Sequence, residues 1–303
     1  MRNLILSCLC HLLAAAALAA PPTDLTWAAT PGDPRVGTYT SSPWGFNTNS
    51  HWIAGPQGTV LVDVQFLPSA ATQAVGAAEQ ATGNKVTDAV VLHVNPDKFN
   101  GTPALQARGI RVWTSAEVAA EIPAVHKLRS SWFAERYAPD YPTTEPKPTP
   151  FAGAADSVRL AGLDLRIHRF GLACSKAHVV VQFERHLFVG DLVSPGNHAW
   201  MELGAIDAWV QVLEKLLALD PLYIHPGRGP TAGKDALSAQ IDYLRTVQNL
   251  VRAAKPRKTD DEAAIAKVHK QILACYPTHD FEVFLNLGLP EVWNAEVGRS
   301  NKR

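Results

Sequence analysis

Between residues 93 and 98 the chain places an imidazole, an amide, a carboxylate and an ammonium side by side, in His93-Val94-Asn95-Pro96-Asp97-Lys98. Imidazole and carboxylate ligate zinc or move protons, and an ammonium can hold an oxyanion. Three later stretches carry the same kinds of group. Ala173-Cys174-Ser175-Lys176-Ala177-His178 offers a thiol, Gly190-Asp191 a carboxylate behind a glycine, and Pro226-Gly227-Arg228-Gly229 a guanidinium between glycines. Thiolate, imidazole and carboxylate are good zinc ligands; protonated Lys and Arg cannot ligate at all. Two other histidines sit near these loops: His198 follows Gly190-Asp191, and His225 precedes Pro226. Both are candidates for substrate contact.

The elements around these loops must present them together. Ala89 to Leu92 is an apolar run that reads as a buried strand, with the polar residues at its carboxyl end, where open sheets carry active sites. Upstream, alternating segments over Val36–Ser41, Phe46–Ala54 and Thr59–Val64 predict a β-meander turning at Gly55-Pro56-Gln57-Gly58. Ser69 to Thr82, closed by Gly83, predicts a helix. Ser115 caps another that runs to about Tyr137 with a break at Pro123. Asp140–Pro150 is Pro-rich and reads as an extended surface loop. The second half predicts strands near Val158–Leu160, Leu163–Phe170, Val179–Phe183, Leu187–Val189 and Leu222–His225. Helices follow over about Ile206–Leu219 and Lys234–Ala254. Strands then helices, twice over, make an α/β protein.

Basic and acidic residues both number 28 in 303, so no electrostatic case exists for nucleic acid or an anionic membrane surface. Arg2, an apolar stretch from Leu4 to Leu18 and Ala17-Leu18-Ala19 have the layout of a secretory leader over residues 1–20. That stretch is too short for a membrane span. The expectation is cleavage near Ala20 or Pro21 and export, to the periplasm or beyond. Cys8 and Cys10 leave with the leader. Cys174 and Cys275 remain, as two thiols or one bridge. Residues 21–35 read as a loose lead-in, 36–254 as the main domain, and 255–303 as a C-terminal helical extension.

The four polar loops, in this order, resemble the metallo-β-lactamase superfamily over about Val36 to Leu250. There the signature is His-x-His-x-Asp-His, then His, Gly-Asp and Pro-Gly-His-Gly. The resemblance implies an αβ/βα sandwich and a two-zinc hydrolase site. His93, Asp97 and Asp191 stand where family ligands stand, while Asn95, Lys98, Cys174 and Arg228 depart. One metal position becomes His93, Asn95 and Cys174 with Asp191 nearby, which can keep one zinc. The other becomes Asp97, Lys98, Asp191 and Arg228, where two cations preclude ligation. Asp63 matches the family's strand-end Asp beneath the site, or is a strand-end cap.

The expectation is a hydrolase-like enzyme with at most one zinc, acting on an ester, thioester, lactone or amide of a small molecule. Zinc-bound water attacks, Asp97 orients or deprotonates it, and Lys98 or Arg228 holds the oxyanion. The alternative is a metal-free binding protein whose cationic pocket takes an anionic ligand or partner. A salt-bridged plug that only stabilises the fold is the bland version of the same residues. Cys174 also stays open as a nucleophile activated by His93.

Overall fold

The computed structural model describes residues 26–153 and 156–300. The leader expected over residues 1–20 lies outside them. Two sheets face each other with helices on both outer sides. The first runs β1 (Thr26–Thr30), β2 (Asp33–Thr40), β3 (Asn49–Gly55), β4 (Gly58–Val62), β5 (Val86–Val90), β6 (Arg111–Thr114) and β7 (Thr149–Pro150), in spatial order. β1 to β4 form the antiparallel meander, and β4 to β7 are parallel. The second sheet has the order β12 (Tyr223–Pro226), β11 (His186–Gly190), β10 (His178–Phe183), β9 (Leu163–Phe170) and β8 (Ser157–Leu160).

Each helix has a sequence reason. α1 (Pro68–Thr82) starts with proline at its first position and ends on Gly83 at φ 69°, the left-handed geometry glycine takes without strain. α2 (Pro96–Phe99) and α3 (Thr102–Ala107) are short and follow β5. α4 (Ala116–Phe133) is capped by Ser115, whose hydroxyl accepts from Val118 N–H at 3.2 Å. α5 (Ile206–Leu217) buries Ile206, Trp209, Val210, Leu213 and Leu216, spaced for one helical face. α6 (Asp235–Ala253), α7 (Glu262–Cys275) and α8 (Glu282–Ser300) complete the chain.

One apolar core joins α1 and the first sheet to Leu165, Ile167, Val179 and Val181 of the second. Another packs the second sheet against α5, α6 and the two C-terminal helices. The result is the αβ/βα sandwich expected. No described helix is long and apolar enough to cross a membrane.

Three expectations need correction. The lead-in is not loose along its length, because residues 26–30 form an edge strand paired with β2. Pro123 does not break α4; the helix runs through it. The Pro-rich loop ends in Thr149 and Pro150, which pair with β6 as a short edge strand, where a proline's missing N–H is tolerated.

Candidate functional site

The site forms where the two sheets meet. Beyond β5 the chain makes an isolated bridge, His93 with His178, and Val179 N–H donates to Leu92 carbonyl at 2.6 Å. That contact ties the His93 loop to the start of β10. The Gly190-Asp191 loop is held from behind by Trp209, whose indole N–H donates to Leu192 carbonyl at 3.0 Å. The Pro226–Gly229 loop is clamped by the meander: Asn49 Nδ2 donates to the carbonyls of Pro226 at 3.0 Å and Gly229 at 2.8 Å. Gly227 must be glycine here. A Cβ on it would lie 2.0 Å from Asp191 Oδ1 and 2.6 Å from Lys98 Nζ.

At the centre is a closed lattice of four charges. Lys98 Nζ lies 2.9 Å from Asp97 Oδ2 and 2.9 Å from Asp191 Oδ1, with its side chain wholly buried. It makes no aligned hydrogen bond, so it acts as a buried point charge between the carboxylates. Arg228 closes the other side: Nη2 donates to Asp97 Oδ2 at 2.7 Å and Nη1 to Asp191 Oδ2 at 2.9 Å. Its Nε donates to Phe46 carbonyl at 3.1 Å.

Burial alone would push both carboxyls up, but the cations outweigh it. The Asp97 and Asp191 pKa values are lowered, by Lys98 then Arg228 at Asp97 and by Arg228 then Lys98 at Asp191. Burial likewise opposes the charge on Lys98 and Arg228, and the two aspartates overcome it, so both cations titrate above their usual range. Asp63 differs. Burial pushes it up to about 8, against the opposing Lys98 charge 3.9 Å away. Its Oδ1 accepts from Leu92 N–H at 2.9 Å, so it caps the strand end beside the lattice.

The imidazole and thiol form a separate group behind this lattice. His93 Nε2 accepts from Asp191 N–H at 3.4 Å, which leaves Nδ1–H to donate to Ser175 Oγ at 3.0 Å. Burial holds the His93 pKa near 4, so the ring is neutral. His178 Nε2 accepts from Ser175 N–H at 3.2 Å and faces Cys174 Sγ at 3.2 Å. With Nε2 an acceptor, Cys174 is the S–H donor, and Nδ1–H of His178 donates to Gly171 carbonyl at 2.9 Å. Burial raises the Cys174 pKa well above its ordinary value. A buried protonated thiol is not an activated nucleophile. Cys174 and Cys275 are both free, so no bridge joins them.

Among the described residues, His93, Cys174 and His178 bring ligand atoms within 4.8 Å of one another. Their types suit a single zinc, and all three are buried. His178, expected to be structural, therefore takes the place expected for Asn95, whose side chain faces the pocket instead. The carboxylate side does not fit a metal, because Lys98 Nζ already lies between Asp97 and Asp191.

A pocket opens over the lattice. Asn95, Asp97, Asp191 and Arg228 form its floor, and Phe46, Phe66, Phe133, Trp200 and Phe284 its walls, with Arg129 at one side. Including its mouth it holds about 440 Å³. The Arg228 guanidinium stacks over Phe284 at 5.1 Å and Phe281 at 5.6 Å. His198 and His225 are placed elsewhere. His198 is buried against Tyr243, Nδ1 to hydroxyl 2.9 Å. His225 stacks on Phe188 at 4.4 Å, between His186 and Thr231. Neither lines the pocket. Sequence reasoning missed Arg129 and the aromatic wall, because those residues come from α4, loops and α8 and carry no motif.

The family model of the metallo-beta-lactamase superfamily matches residues 43–228, and the chain belongs to that superfamily. Membership makes hydrolase-type chemistry the frame for the site. Phe284, in the pocket wall, lies outside the matched segment. No curated protein sequence matches the chain. Among solved structures it is similar to a metallo-beta-lactamase from Pontibacter korlensis, with TM-score 0.57 and 19% identity, covering 73% of this chain and 99% of that one. Similar values hold for FIM-1 from Pseudomonas aeruginosa in its mono-zinc form: 0.57, 19%, 75% and 98%. For DIM-1 they are 0.58, 18%, 75% and 99%. At this identity the likeness speaks to fold.

Proposed function

We propose that this chain is a metal-independent small-molecule-binding protein, in which an ion-pair lattice has taken the place of the family's metal pair. The observation that carries the reading is the Lys98 ammonium, 2.9 Å from both Asp97 and Asp191. Lys98 and Arg228 together carry the charge of one divalent ion, and they cancel the two carboxylates locally. The pocket above is therefore not the cationic one expected from composition of the loops. Its floor is charge-balanced and its walls are aromatic, the mixture typical of small-molecule pockets.

The test is metal dependence. Elemental analysis of protein purified without a metal-carrying tag should find no pair of zinc ions, and a chelator should leave the melting temperature unchanged. Turnover of a chromogenic β-lactam should stay at background. Two tightly held zinc ions per chain would end this reading.

A second reading is favoured by one observation, the His93, Cys174 and His178 cluster. These three residues would hold one zinc, which could lower the pKa of a bound water or polarise a carbonyl. In that reading Asp97 orients the nucleophile, and Lys98 or Arg228 stabilises the oxyanion. Cys174→Ser should then weaken zinc by more than tenfold, since a hydroxyl is a far poorer ligand than a thiolate. Zinc titration by calorimetry reads this. Unchanged affinity removes Cys174 from any metal site.

Export is part of the proposal, supported by Arg2, the apolar stretch and Ala17-Leu18-Ala19. The exported protein should have an intact mass lacking Met1 to Ala19. A chain still carrying those residues would contradict it.

A further inference from the structure

Behind the lattice, His93, Cys174 and His178 form a set of two imidazoles and one thiol that the pocket does not use. Their ligand atoms lie within 4.8 Å of one another, and none of the three lines the pocket. Each is at most 2% exposed. Cys174 Sγ lies 3.2 Å from His178 Nε2. One nitrogen of each ring is tied down: His178 Nδ1–H donates to Gly171 carbonyl at 2.9 Å, and His93 Nδ1–H to Ser175 Oγ at 3.0 Å. The rings of a metal site are held in this way, with the remaining lone pair left for the ion. The backbone N–H groups that reach the Nε2 lone pairs do so at 3.2 and 3.4 Å, at or past the long end of the ordinary range.

The number of donors separates the ions that these residue types suit. Zinc takes four donors in a closed site, and here there are three. Asp191 Oδ2 lies 3.7 Å from His93 Nε2, but Lys98 holds its Oδ1 and Arg228 its Oδ2, each at 2.9 Å. Asn95 faces the pocket. Two imidazoles and a thiolate in a trigonal set are a copper arrangement, and thiolate favours the monovalent ion.

Charge gives the same answer. Lys98 and Arg228 offset Asp97 and Asp191, and Asp63 adds little at neutral pH because burial pushes its pKa up to about 8. The thiol carries its proton, donated to His178 Nε2. When copper(I) binds, the S–H bond breaks, an S–Cu bond forms and the proton leaves to solvent. One monovalent cation replaces another, so the enclosed charge is unchanged and no electron moves. Zinc would add a positive charge beside Lys98 and Arg228 that nothing there offsets.

We infer that His93, Cys174 and His178 form a trigonal site for one copper(I) ion. This rests on the part of the second reading above in which these three residues hold one ion, and it changes the ion. The metal-independent reading of the pocket concerns other residues and is untouched.

The test uses the full chain, stripped of metal and incubated overnight without oxygen with one equivalent each of copper(I) and zinc. That interval gives local opening time to admit an ion to the enclosed site. After desalting, the chain should hold one copper, and copper(I) should bind about tenfold or more tighter than zinc. X-ray absorption at the copper edge should find one sulfur and two nitrogen neighbours. Cys174→Ser should weaken copper(I) by about tenfold or more, while Cys275→Ser, which removes the exposed thiol, should leave it unchanged. If Cys174→Ser does not fold, the metal count and the neighbours on the unmodified chain decide the matter. Zinc bound as well as or better than copper, and lost in Cys174→Ser, overturns the copper assignment and leaves the one-zinc reading standing. Copper that follows Cys275, or copper with no sulfur neighbour, also overturns it. A chain that retains neither ion ends both.

Discussion

Lys98→Met should destabilise the fold by about 3–5 kcal/mol at neutral pH, the cost of leaving a buried charge without its partner. The range for buried rather than exposed pairs applies because Lys98 is wholly enclosed and both aspartates are within a few per cent of it. Arg228 still pairs both carboxylates in the variant, but one cation then faces two anions. The pH dependence has a definite sign. The folded-state pKa values of Asp97 and Asp191 are lowered. Their stabilisation is therefore fully present above the unfolded carboxylate value of about 3.9 and fades as pH falls through the lowered folded values. The Lys98 pKa is raised, so its contribution is fully present below the unfolded lysine value of about 10.4 and is lost as pH rises through the folded one. In Lys98→Met the carboxylates lose one of their two cations, and protonating one carboxyl relieves the repulsion. The gap between wild type and variant should shrink on going from pH 7 to below about pH 4. Denaturant melts at the two pH values measure it. Equal stability at neutral pH would show that the ammonium is not holding the loops together.

The combined substitution Lys98→His with Arg228→His should turn the lattice into a zinc site. It removes the two groups that cannot ligate and supplies imidazoles beside Asp97 and Asp191. Without metal the double variant should be less stable than wild type, since two aspartates are left facing each other. Zinc at one hundred times its dissociation constant should return about 2.7 kcal/mol. Wild type should show no such gain from the carboxylate side. Thermal melts with and without zinc, together with metal content, give the answer. No zinc-dependent gain would mean that the loops have relaxed to a spacing that fits cations only.

Much of this site was legible because its loops keep their order. His93, Asp97 and Lys98 were expected at one strand end and Asp191 and Arg228 at two others, and the structure brings Lys98 and Arg228 each within 3 Å of both Asp97 and Asp191. Charge opposition between specific residue types is a signal that sequence carries. What it does not carry is direction. His178, rather than Asn95, joins His93 and Cys174, since a backbone bridge between His93 and His178 sets the start of β10 beside the His93 loop. His198 and His225 were expected near the mouth because of their neighbours in sequence. Apolar packing instead draws His198 against Tyr243 and His225 onto Phe188. Burial lowers the pKa of both, His198 to about 4. The strand at residues 26–30 was missed because a Pro/Thr/Ala-rich stretch has weak strand propensity, and pairing with β2 outweighs it.

The placement of Phe284 over Arg228 has a consequence for how the protein is made. The carboxylates and both cations have all been synthesised once the chain reaches residue 228, and Phe284, which packs against Arg228, follows 56 residues later. At about 5–20 residues per second that interval is roughly 3–11 s. During it the guanidinium faces water rather than an aromatic ring. The interactions that anchor the wall, Asp280 N–H to Gly196 carbonyl and His198 N–H to Asp280 carbonyl, both at 2.9 Å, also wait for the last part of the chain. That side of the pocket is thus the last to mature on the ribosome, and a nascent chain halted before α8 carries the charged floor and the Phe46, Phe66, Phe133 and Trp200 walls without the ring over Arg228.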